Sequence, residues 1–180
     1  MRGGGGTVSY QGTVIQSPEP AADFAMTSAN TGEEVKLSDF RGRVTLLYYG
    51  YTLCPDVCPA TMLELRQAMR ELGATADEIQ VVMVTIDPER DTVERLAPYV
   101  TQFDERFIGL TGTEEQLLAA TTQFGIYYER VETPESQLGY LMNHSAYVLA
   151  IDKEGYLRVI YPFGTTGTQI AADMRRLVRD

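Results

Sequence analysis

A chain of 180 residues, 44% hydrophobic and 22% charged, has material for one soluble domain with a sizeable core and too little for two ordinary ones. Its formal charge of −10 argues against nucleic acid or anionic lipid as the main partner; the acidity serves either solubility or steering toward a basic patch on a partner. No apolar run approaches the roughly 20 residues of a membrane span, and no hydrophobic signal-peptide core is visible.

The chain opens Met1-Arg2-Gly3-Gly4-Gly5-Gly6, which reads as a flexible spacer or an artificial leader. The missing export signal therefore says little about location, and an anchor further upstream is compatible with it. Residues 1–22 lack periodicity and carry Pro18 and Pro20, so they read as an extended arm or linker. The domain proper is expected over 23–180.

From Asp23 the pattern becomes regular. Phe24-Ala25-Met26 and Val35-Lys36-Leu37 flank the turn-like Asn30-Thr31-Gly32, which predicts a short hairpin. Val44 to Tyr51 is a nearly unbroken apolar run, as expected of a strand covered on both faces. Thr52-Leu53-Cys54-Pro55-Asp56-Val57-Cys58-Pro59 follows, then a helix to about Leu72 with Met62, Leu65, Met69 and Leu72 on one face and Gly73 at the C-cap position. Gln80 to Ile86 predicts a second buried strand, Asp91 to Phe103 a helix and Phe107 to Leu110 a short strand. Thr113 caps a helix to about Gln123. Ile126–Val131, Ser145–Ile151 and Tyr156–Tyr161 are expected as strands, the last two joined by a turn at Asp152-Lys153-Glu154-Gly155. A helix over 168–178 ends the chain. Strands and helices alternating in this way predict an α/β fold with a mixed central sheet flanked by helices and an N-terminal hairpin extension; a thioredoxin-like domain is one such sheet. In such sheets function collects at the carboxyl ends of strands, where the cysteine motif lies.

Two cysteines are too few to staple a domain of this size, so they require a chemical explanation. Cys54 and Cys58 stand four residues apart, and on a helical turn both sulfurs project from one face. Pro55 and Pro59 fit first-turn positions and stiffen the loop. A helix N-terminus favours the thiolate, the form needed for metal binding and for disulfide exchange alike. Three readings stand side by side: a structural disulfide, disfavoured because it would close almost no chain; dithiol redox chemistry; and a metal site. His144, the single histidine, bears on the choice. In a thioredoxin-like sheet the segment entering the next-to-last strand packs beside the cysteine loop. Two thiolates and one imidazole make a soft set that suits Cu(I), and with an added oxygen ligand Cu(II), whereas structural zinc usually wants four protein ligands. Met142 is a further soft donor, better read as packing. Tyr48, Tyr49, Tyr51, Tyr127 and Tyr147 are expected in the core or as an aromatic rim around the site.

Gly50-Tyr51-Thr52-Leu53-Cys54-Pro55-Asp56-Val57-Cys58-Pro59 closely resembles the signature of the Sco/SenC copper proteins. So do Val84-Thr85-Ile86-Asp87-Pro88-Glu89-Arg90-Asp91-Thr92, Asn143-His144-Ser145-Ala146-Tyr147, and Leu37-Ser38-Asp39-Phe40-Arg41-Gly42 within the stretch Phe24 to Arg43. The likeness runs in order from about residue 23 to the end. It implies a thioredoxin-like metallochaperone that binds copper through Cys54, Cys58 and His144 and assists assembly of the dinuclear copper centre of cytochrome c oxidase. It implies as partner the copper-acceptor subunit of that enzyme, or other periplasmic copper carriers. It also implies an N-terminal membrane anchor, absent from this sequence, on the outer side of the bacterial plasma membrane. Leu53 and Asn143 depart from residues common in relatives, and neither change removes a ligand. Asp56 and Asp87 match acidic positions, and Asp87 is either a residue supporting the cysteines or simply the end of a strand before Pro88.

Within that reading, a thiol–disulfide oxidoreductase that reduces the acceptor's cysteines is the alternative, and His144 discriminates: metal binding needs it and dithiol exchange does not. A copper sensor shares the same donors. A peroxidase is disfavoured, because no Pro-xxx-Thr-xx-Cys arrangement is present.

Overall fold

The computed structural model describes residues 9–180; the glycine run at 3–6 lies outside them. An eight-stranded mixed sheet forms the body, with strands Thr13–Val14 (β1), Leu157–Tyr161 (β10), Val148–Ile151 (β9), Val44–Gly50 (β4), Ile79–Thr85 (β5), Ile108–Thr111 (β6), Ala25–Ser28 (β2) and Glu34–Lys36 (β3) side by side in that order. Its centre is β4 (Val44–Gly50), every residue of which is buried. Parallel to it runs β5 (Ile79–Thr85), in register from Val44↔Ile79 to Gly50↔Thr85. β6 (Ile108–Thr111) continues the parallel set. On the other side β9 (Val148–Ile151) pairs antiparallel with β4, and β10 (Leu157–Tyr161) returns antiparallel to β9.

The hairpin near the start is β2 (Ala25–Ser28) with β3 (Glu34–Lys36); β2 joins the main sheet beside β6. Within the stretch expected as an arm, Thr13–Val14 form β1, a two-residue edge strand on β10. The arm is held in place by Asp173, a buried carboxylate that accepts the backbone N–H groups of Gln11 and Gly12 and the Tyr161 hydroxyl.

Among the described residues four α-helices clothe the sheet: α1 (Val57–Leu72), α2 (Val93–Thr101), α3 (Glu114–Thr122) and α4 (Gly167–Leu177). Gly73 ends α1 at φ 56°, a conformation that favours glycine. α1 and α4 lie in close contact because position 167 carries no side chain: a Cβ there would stand 2.4 Å from the Glu64 carbonyl oxygen. α2 starts later than Asp91, because the Asp91 side chain is turned inward, away from a capping role.

A further departure from the sequence pattern is a separate ribbon. β7 (Tyr128–Thr133) pairs with β8 (Gly139–His144) in a separate two-stranded ribbon, in register from Tyr128↔His144 to Thr133↔Gly139. His144 is thus the last residue of a strand. The expected strand over 145–151 is confined to Val148–Ile151.

Topology then dictates where chemistry gathers. β9 is antiparallel to β4, with Val148 opposite Tyr48. The beginning of β9 therefore lies at the end of β4. Cys54 stands four residues beyond Gly50 and His144 four residues before Val148, so both segments emerge at the same end of the sheet, beyond the carboxyl end of β4.

Candidate metal centre

Cys58 is the second residue of α1, and its side chain is fully buried against the end of β4. A Cβ at position 50 would lie 3.0 Å from the Cys58 sulfur, so Gly50 leaves the space in which that thiol sits. Cys54 is half-buried in the loop before the helix. Its sulfur accepts the Cys58 backbone N–H at 3.3 Å. The first turn of a helix leaves amide hydrogens without partners. Here a sulfur takes one of them, whereas the Asp56 side chain at the N-cap makes no capping bond.

Hydrogen bonding to Cys58 is the leading reason that the Cys54 thiol is pushed down to about 4, with the Cys58 and Asp56 backbone adding to it against the opposing effect of burial. Cys58 is driven the other way, first by its bond to Cys54, then by burial and by repulsion from the Cys54 charge. At neutral pH the pair therefore holds a thiolate at Cys54 and a thiol at Cys58. A metal entering between them has one proton to displace.

His144 completes the triangle. Its Nε2 lies 3.4 Å from the Cys58 sulfur, and its Nδ1 lies 2.9 Å from the Ser145 carbonyl oxygen. A carbonyl only accepts, so Nδ1 carries the proton and Nε2 turns its lone pair to the sulfurs. Tyr51 and Tyr48 stand edge-on to the imidazole, with ring centroids 5.9 and 6.5 Å away. The two sulfurs and one imidazole nitrogen all fall within 4.8 Å of one another. Two soft sulfurs and one nitrogen, half-open to solvent, fit a soft metal ion that enters and leaves.

Of the five tyrosines in question, Tyr48 and Tyr51 line this site. Tyr49 points elsewhere, its hydroxyl donating to the Ala120 carbonyl, and Tyr127 and Tyr147 are exposed. Met142 packs against the core, and its backbone N–H donates to the Tyr51 hydroxyl. The Asp87 carboxylate is taken up by the Tyr140 hydroxyl at 2.7 Å and by Arg90 Nε at 2.5 Å, not by the cysteines. It acts on the ribbon that carries His144. Asp91 is the support that sequence reasoning left without a role. Its buried carboxylate accepts the Thr52 N–H and hydroxyl and the Thr85 hydroxyl, which pins the start of the cysteine loop to the end of β5.

The difference between the thiols predicts the order of alkylation. Iodoacetamide at pH 7 labels Cys54 at least ~10-fold faster than Cys58, since Cys54 is accessible and ionised while Cys58 is neither. Between pH 6 and 8 the Cys54 rate stays nearly flat, because the thiolate is already fully formed above its lowered pKa. An ordinary thiol would gain about tenfold per pH unit over this range. Peptide mass spectrometry against time reads both, and a Cys54 rate climbing tenfold per unit would contradict the assignment.

Comparison with known proteins agrees with this architecture. The SCO1/SenC family model matches residues 14–179. A SCO2-like protein of Rickettsia felis is 36% identical over 140 residues, 77% of this chain and 68% of its own. The solution structure of apo Sco1 from Thermus thermophilus superposes with a TM-score of 0.84 at 34% identity, covering 96% of this chain and 99% of that one. ScoI of Bradyrhizobium japonicum with copper bound gives 0.80 at 31% identity, covering 88% and 99%. With a family match across nearly its whole length and a curated relative above one-third identity, the chain belongs to the SCO1/SenC family.

Proposed function

We propose that the protein is a copper metallochaperone that holds one copper ion through Cys54, Cys58 and His144 and assists maturation of the dinuclear copper centre of cytochrome c oxidase. The observation that carries this reading is the convergence of two sulfurs and one imidazole nitrogen within 4.8 Å, with Nε2 presented toward the sulfurs. Two thiolates dominate the affinity for Cu(I); the imidazole adds the nitrogen that Cu(II) prefers. The recipient is the copper-acceptor subunit of the oxidase, with other periplasmic copper carriers as exchange partners. The site of action is the outer side of the plasma membrane, with an N-terminal anchor upstream of this sequence. Among the described residues no helix is long and apolar enough to cross a membrane. Cys54 and Cys58 are also redox-active in this reading: with copper absent, an external two-electron oxidant can close them to a disulfide. A purely reductive role on the acceptor's cysteines is disfavoured, because it gives His144 nothing to do.

The test is metal content after anaerobic reduction and loading with Cu(I) or Cu(II), with and without a competing chelator. Wild type retains one copper per chain in either state. His144→Ala keeps Cu(I) but loses Cu(II) affinity by roughly 10–100-fold or more, the scale on which even outer-shell partners act. Substoichiometric copper in reduced wild type, or identical Cu(II) retention in both proteins, would overturn the reading.

A further inference from the structure

The β7–β8 ribbon belongs to neither face of the main sheet, yet one end of it delivers His144. Something must fix that end relative to the cysteines. The Ser145 N–H donates to the Tyr127 carbonyl, so the odd-numbered residues at this end of β8 turn their backbone groups toward β7. The even-numbered ones turn theirs away, along an edge that no strand among the described residues covers. Uncovered edges leave N–H and C=O groups without strand partners. Here side chains take them. Arg90 Nη1 donates to the Leu138 carbonyl at 3.0 Å and to the Tyr140 carbonyl at 2.9 Å. The Tyr51 hydroxyl accepts the Met142 N–H at 3.2 Å. Positions 138, 140 and 142 are thereby held in sequence, and 144 is the next in the same alternation.

Arg90 is itself held firmly. Its Nε donates to Asp87, whose other carboxylate oxygen accepts the Tyr140 hydroxyl. The guanidinium carbon lies 3.5 Å from the Tyr140 ring centroid, and Arg130 of β7 covers the same ring at 3.8 Å. The Arg90 and Asp87 side chains are 15% and 3% exposed, so the clamp works largely out of water. Arginine suits the position: a planar fork binds a carboxylate and two carbonyls while its face stacks on a ring, which lysine cannot do.

We infer that Arg90, oriented by Asp87, is the positioning residue that docks the β7–β8 ribbon and so sets His144 at the sulfurs. The inference rests on the copper reading above and deepens it. Arg90 touches neither the sulfurs nor the imidazole, so its effect is transmitted through the backbone of β8. Losing the clamp leaves Cys54 and Cys58 where α1 and Asp91 put them and frees His144 to move away. The signature is selective: properties that depend on the imidazole suffer, and those that depend on the thiolates do not.

The experiment compares wild type, His144→Ala, Arg90→Gln, Arg90→Lys and Tyr140→Phe. Hydrogen exchange on metal-free reduced protein should show the Met142 amide, which is bonded to the Tyr51 hydroxyl, losing protection by tenfold or more in Arg90→Gln, with the amides of β4 and β5 unchanged. Arg90→Lys should not restore it, and Tyr140→Phe, which removes one bond from the clamp, should fall between. In copper-loaded protein, Arg90→Gln should reproduce the His144→Ala pattern: Cu(I) retained against chelator, Cu(II) affinity down roughly 10–100-fold, and nitrogen hyperfine structure lost from the Cu(II) electron paramagnetic resonance spectrum. If wild type and His144→Ala differ while Arg90→Gln matches wild type in exchange and spectrum, the clamp is refuted and the copper reading stands. If wild type binds no copper, that reading falls, and the exchange measurement still decides whether Arg90 docks the ribbon. Equal loss of protection in β4 and the ribbon would refute a positioning role and mark Arg90 as a general stabiliser.

Discussion

Cys58→Ala is expected to leave a folded protein that no longer retains copper against a chelator. Cys58 is the hub of the triangle: its sulfur lies 3.4 Å from His144 Nε2, and its backbone N–H holds the Cys54 sulfur. Alanine removes one of only two thiolates and leaves a single sulfur and an imidazole, a weak set for Cu(I). The loss should exceed the roughly 100-fold that removal of an outer-shell partner costs. Folding should survive. The thiol is fully buried, but deleting a group this small costs about 1 kcal/mol, within what a domain of ordinary stability tolerates. The helix turn is also preserved, because the Cys58 N–H still reaches Cys54. Copper per chain after chelator competition, with far-ultraviolet circular dichroism as the fold control, checks both halves. Equal copper retention by wild type and Cys58→Ala would remove Cys58 from the ligand set.

The elements that frame this site were legible in the sequence for identifiable reasons. Val44–Gly50 and Ile79–Thr85 are buried on both faces, and continuous apolar runs betray such strands. Once they are placed, the cysteine loop and the start of the next-to-last strand must meet, and His144 follows. What the sequence concealed is how His144 is held. The Gly139–His144 strand alternates poorly, with burial running exposed, buried, half, half, exposed, half. It is stabilised by Arg90, 48 and 50 residues away from its partners, and by Tyr51, 91 residues away. No local pattern carries contacts of that span. Asp91 was concealed in the same way. In the sequence it looks like the start of a helix, and only the fold shows its carboxylate closing on Thr52 and Thr85. β1 is two residues long, and its edge position is set by Asp173, about 160 residues distant.

Oxidation and copper loading should exclude each other, and this is the second large effect expected. The two sulfurs already lie within 4.8 Å of each other, one in the loop before α1 and one in its first turn, and one of them is a thiolate ready to attack. Diamide, a diazene oxidant, takes two electrons from the pair, the proton of Cys58 and one proton from water, leaving a hydrazine and a sulfur–sulfur bond. The sulfurs are then neutral disulfide atoms, far weaker donors to copper than thiolates. Because the closed loop is so short, the crosslink constrains the unfolded chain little, by about 2 kcal/mol or less in the chain-entropy model. Thermal stability therefore changes modestly while copper binding changes completely. Oxidised protein is expected to take up no copper, and reduction followed by removal of the reductant should restore one per chain. Copper in turn should shield both cysteines from iodoacetamide. Metal analysis and alkylation mass spectrometry on reduced, copper-loaded and oxidised protein give the answer in one series. If fully oxidised protein still binds one copper with undiminished affinity, the cysteines are not the ligands and the copper reading fails at its centre.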